Sequence, residues 1–76
     1  MPNRIEPMAL KALGTKGMFH HAQIGAIRIY IRNKSESDII EEIRLISDPA
    51  VFNILLEVGL SQPLQSALSK RWMELK

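Results

Sequence analysis

The sequence predicts a mainly α-helical fold: a small single domain of three C-terminal helices, with a short strand or an additional helix near residues 26–32. Three observations carry that reading. Apolar residues recur at helical spacing from Ile39 to Ile46 and again from Leu64 to Leu75. Pro49 and Pro63 fall where a helix begins, since a first-turn proline gives up an N–H that has no helical partner there anyway. Gly59 stands between two such stretches, as the left-handed residue that commonly ends a helix.

The chain has 76 residues, enough for one small domain that buries only about 60–65% of its unfolded surface. It has no cysteine and no cluster of metal ligands, so the disulfide and metal staples of small folds are out of reach. Self-association is the remaining way to cover apolar side chains, which make up 46% of the residues, and a homodimer or larger assembly is expected. Ten lysines and arginines against eight aspartates and glutamates leave a formal charge of +2, which permits nucleic-acid binding without requiring it. No run of eighteen apolar residues is available to cross a bilayer, and the opening MPNRIEPMALKALG lacks the apolar core of a signal peptide. A cytoplasmic protein with no membrane partner and no cofactor is the expectation.

Residues 1–17 read as an N-terminal arm ahead of a domain at residues 18–76. Pro2, Pro7, Gly14 and Gly17 limit any helix in the arm to Met8–Leu13, which needs to dock Met8, Leu10 and Leu13 to stay ordered. The next segment, AQIGAIRIYIRNKS, supports two readings. As a strand, Ile27, Ile29 and Ile31 share one face and Arg28, Tyr30 and Arg32 the other. As a helix, Ile24, Ile27 and Ile31 align and Ile29 falls on the opposite side. The strand explains one more isoleucine and ends at the turn-like Asn33-Lys34-Ser35, so it is the preferred reading.

The stretch SESDIIEEIRLIS then predicts an amphipathic helix. Ser37 serves as its cap, Asp38, Glu41 and Glu42 lie in its first turns where the helix dipole favours negative charge, and Ile39, Ile40, Ile43 and Ile46 form one arc. Ser47-Asp48-Pro49 interrupts it, and a new helix runs from Pro49 to Val58 with Asp48 as cap. There Val51, Phe52, Ile54, Leu55, Leu56 and Val58 cover most of the circumference, and only Asn53 and Glu57 look strongly outward. Such a helix belongs at the centre of the domain or at a subunit interface. In the last helix Leu64, Leu68, Trp72 and Leu75 make a buried stripe, with Gln65, Ser66, Ser69 and Lys70 exposed.

Little in the chain supports catalysis or metal binding. The adjacent His20 and His21 diverge on helix or strand and have no third ligand, so they are expected to be exposed loop residues. The acidic run Glu36, Asp38, Glu41 and Glu42 lacks the glycine-turned loop of a cation site. The serines sit at caps and on an outer helical face without a base and an orienting group, so no enzyme activity is expected.

Two resemblances bear on function. The stretch VFNILLEVGLSQPLQSALSKRW resembles the helix-turn-helix family, whose second helix enters the major groove. That resemblance implies that Gln65, Ser66 and Ser69 face base edges, with Gln65 as an adenine reader, while Lys70 and Arg71 reach phosphates. A strand at residues 26–32 followed by helices is similar to the ribbon-helix-helix family, in which the paired strands of a dimer lie in the major groove. It implies Arg28, Tyr30 and Arg32 as readers. The expectation is therefore a small DNA-binding regulator with double-stranded DNA as partner; the alternative is a helical protein-interaction or homo-oligomerisation module that binds no nucleic acid.

Overall fold

The structure, a computed structural model, describes residues 4–75. Among them the chain forms five helices and no strand: α1 (Ile5–Leu13), α2 (Met18–Arg32), α3 (Glu36–Arg44), α4 (Val51–Val58) and α5 (Gln62–Leu75).

The segment preferred as a strand is helical. Residues 26–32 are the second half of α2, which buries Ile24 and Ile27, half-buries Ile31 and leaves Ile29 60% exposed. The alternation of Ile27, Ile29 and Ile31 is real, but the described residues supply no second strand to pair with it. A lone strand leaves its N–H and C=O groups without partners, whereas a helix satisfies them within the segment. Strand propensity of β-branched residues is the weaker force here.

The arm also folds differently from its expectation. α1 begins at Ile5, and Pro7 lies inside its first turn, where the missing N–H costs nothing. Its buried face is Ile5, Ala9 and Ala12, while Leu10 and Leu13 are exposed and Met8 is half-buried against the core. The alanines let the helix approach its neighbours closely. Pro2 lies outside the described residues.

α3 is capped by Ser35, two residues before the expected Ser37: its Oγ accepts the N–H of Asp38 at 3.3 Å. Ile39, Ile43 and Ile46 are fully buried and Ile40 half-buried, as the expected arc requires. Asp48 starts the next turn by accepting the N–H of Ala50 at 2.9 Å. α4 then buries Val51, Phe52, Ile54, Leu55 and Val58, but Leu56 is 64% exposed beside Asn53 and Glu57. Gly59 ends α4 at φ 82°, a left-handed geometry that a side chain rarely adopts. Leu64 and Leu68 anchor α5 in the core, with Leu75 half-buried and Trp72 partly exposed.

α1 packs on α2, α3 and α4; α4 also packs on α2 and α5, and α3 lies along α5. Among the described residues no polar or charged side chain is buried. Polar groups instead tie the helices together at the rim. Glu6 accepts the N–H groups of Ser47 and Asp48, each at 2.8 Å, and so binds α1 to the link before α4. Glu42 accepts the Ile5 N–H at 3.0 Å, closing the N-terminal end of α1 from α3.

Candidate functional site

The candidate site is the outer side of α5 and the two grooves beside it. α4 and α5 are consecutive helices joined through Gly59, and Ser66, Ser69 and Lys70 are exposed on the second. Gln65 is exposed too, but its Nε2 donates to the Leu60 carbonyl at 2.7 Å and closes the turn. A side chain engaged in this way is not held out toward a base.

Between α4 and α5 runs an apolar groove of about 380 Å³, lined by Phe52, Asn53 and Leu56 on one side and Leu68, Ser69, Trp72 and Met73 on the other. The Trp72 ring meets the Phe52 ring edge-on, with centroids 5.2 Å apart. Met73 is 67% exposed, and with Leu56 it forms an apolar rim. None of the lining residues is charged.

The other flank, between α3 and α5, is a polar groove of about 370 Å³ lined by Ile40, Arg44, Ala67, Lys70, Arg71 and Glu74. Its cations are partly committed. Arg71 donates from Nε to the Ile46 carbonyl at 2.8 Å and pairs with Glu74 at 3.3 Å, and Arg44 pairs with Glu41 at 3.0 Å.

The expected row of Arg28, Tyr30 and Arg32 does not exist, because alternate residues on a helix point in nearly opposite directions. Arg28 donates from Nε to the Val58 carbonyl at 2.8 Å and reaches the Glu57 carbonyl at 3.5 Å, sealing the C-terminal end of α4. Tyr30 donates its O–H to the Glu42 carboxylate at 2.7 Å. Burial, and then this bond to an anion, raise the phenol above the ordinary tyrosine value. Arg32 is exposed and lines a third cavity with Arg28, Glu36 and Ser61.

His20 and His21 lie on α2, not in a loop, and His20 is half-buried with both ring nitrogens engaged. Among the described residues no group of three His, Cys, Asp or Glu side chains is placed to hold a metal ion. No described helix is long and apolar enough to cross a membrane.

Sequence reasoning missed Arg44, Leu56 and Met73. Met73 does carry a signal, as an apolar side chain outside the stripe of its helix, whereas Leu56 reads as part of the apolar arc of its helix and is exposed instead. Arg44 carries none, since an arginine in a last turn is explained by the helix dipole alone. Compared with known protein families, curated proteins and solved structures, the chain matches none of them.

Proposed function

We propose that the chain is a non-catalytic interaction module that assembles with a second copy of itself through the groove between α4 and α5. The observation that carries this reading is the uncharged lining of that groove with Leu56 and Met73 exposed at its rim. In a two-fold contact the same patch meets itself, so a lining rich in one sign of charge would repel its copy and an uncharged one does not. This groove has no lining charge, and Asn53 and Ser69 are neutral groups that can hydrogen-bond across the axis. A polyanionic partner would find no cation in it. The groove has fewer lining residues than the roughly 20 per side of a standard interface, so the dimer proposed is a weak, concentration-dependent one.

The test is sedimentation velocity on the full chain and on the double variant Leu56→Glu with Met73→Glu. Both side chains are exposed, so the variant is expected to fold, shown by unchanged circular dichroism, and to lose the dimer. A wild type that stays monomeric to millimolar concentration overturns the reading.

A second reading, the DNA-binding regulator, is favoured by one observation: Arg44, Lys70 and Arg71 converge in the groove beside exposed Ser66 and Ser69. In it the serines of α5 face base edges and the three cations hold phosphates, while Arg28, Tyr30 and Gln65 keep their bonds within the fold. Duplex affinity would fall steeply with salt and be lost in Arg44→Glu with Lys70→Glu. Failure to retard any duplex at low salt removes it.

A further inference from the structure

The joint between α1 and α2 is fastened to α4 through one side chain. His20 stands in the first turn of α2, just after the left-handed Gly17. Its Nδ1 lies 3.1 Å from the carbonyl oxygen of Ala12, in the last turn of α1. Its Nε2 lies 2.5 Å from a carboxylate oxygen of Glu57, in the last turn of α4. Both partners only accept hydrogen bonds, so a neutral imidazole, which carries one N–H, can satisfy one of them and must present a lone pair to the other. The imidazolium satisfies both.

We propose that His20 is a proton-dependent clamp: doubly protonated, it bridges α1 and α4 and holds the N-terminal hairpin closed, and on losing a proton it lets that hairpin loosen.

The surrounding charges agree in direction. Glu57 faces the ring from α4, and it lies at the C-terminal end of its helix, where the dipole disfavours a carboxylate and a cation offsets it. α1 and the link after it face the ring with the backbone of Ala12 and Thr15. On α2 itself His21 stands edge-on with ring centroids 6.1 Å apart, and the Arg28 guanidinium is held at the backbone carbonyls of Glu57 and Val58. The bond to Glu57, then the bond to Ala12, raise the His20 pKa above the ordinary value. What the clamp governs is the α1–α2 joint, whose next residues, Met18 and Phe19, are largely exposed apolar side chains.

The experiment is an NMR titration of the two histidine rings in the full chain, with His21→Gln used to assign them, beside Glu57→Gln. Glu57 is half exposed at its side chain, so its amide variant is expected to fold. The His20 midpoint should fall in Glu57→Gln. Amide exchange of residues 9–13, corrected for its intrinsic pH dependence, should quicken several-fold between pH 6 and pH 8 in the wild type and not in the variant. An unchanged midpoint, or corrected exchange that is flat with pH in the wild type, overturns the proposal.

Discussion

The ring of Trp72 stands edge-on to the ring of Phe52, at 72° between planes and 5.2 Å between centroids, and the pair joins the two sides of the groove between α4 and α5. Edge-to-face pairs are worth about 0.5–1.5 kcal/mol beyond the area they bury. A double-mutant cycle of Phe52→Leu and Trp72→Leu, read by urea denaturation, is expected to give a coupling in that range. Additive losses would mean the rings touch without interacting.

Leu55 and Leu56 are neighbours with opposite roles. Leu55 is fully buried and Leu56 largely exposed. Leu55→Ala is expected to cost about 2–5 kcal/mol, from lost burial and the cavity left behind. Leu56→Ala, measured at dilute concentration, is expected to stay within about 0.5 kcal/mol of the wild type. Equal losses would contradict the placement of α4.

Gly59 holds φ at 82° in the turn before α5. An alanine there meets no neighbouring atom, so any loss reports backbone strain alone. Gly59→Ala is expected to lower stability by about 1–2 kcal/mol, and Gly59→Asn by less, since asparagine tolerates this geometry better. Thermal unfolding monitored by circular dichroism separates the three.

How much of this was legible follows from where the information sits. Ile39, Ile43 and Ile46 lie at spacings that only a helix brings to one side, and the chain needed nothing else to declare α3. Gly59 and Pro63 marked the hairpin for similarly local reasons. Ile27, Ile29 and Ile31 misled because their alternation is a strand signal, whereas the outcome depended on there being no partner strand among the described residues, which no local pattern reveals. Pro7 misled because a proline near a helix start is harmless. Of the candidate readers of DNA, Ser66, Ser69 and Lys70 were placed outward as expected. Arg28, Tyr30, Gln65 and Arg71 bond to their own chain. Apart from Leu60, five residues before Gln65, those partners, such as the Val58 carbonyl for Arg28, are distant in sequence, and no spacing announces them.

Glu42 gathers the Ile5 N–H, the Tyr30 hydroxyl and the Lys34 ammonium from three parts of the chain. Its side chain is only 12% exposed. Glu42→Gln keeps the shape but removes the charge, and is expected to cost about 1.5–3 kcal/mol, the range for bonds to an ionised group. Chemical denaturation checks the size, and faster exchange at the start of α1 checks the location.

The His20 clamp gives stability a pH dependence of known sign. Because the folded pKa is raised, the contribution is fully present below the unfolded value of about 6.5 and is lost as pH rises through the folded one. Stability of the wild type relative to Glu57→Gln is therefore expected to shrink between about pH 6 and pH 8, as read by urea midpoints. A constant difference would show that the bond to Glu57 is not linked to protonation.

The most direct measurement is an isotope-filtered NOE experiment on a mixture of labelled and unlabelled full-length chain at millimolar concentration. Intermolecular contacts are expected from the Leu56 and Met73 methyl groups to the Trp72 ring of the other copy. Their absence from a sample that sediments as a dimer, or intermolecular contacts confined to Met18 and Phe19, would contradict the assignment of the α4–α5 groove as the self-association surface.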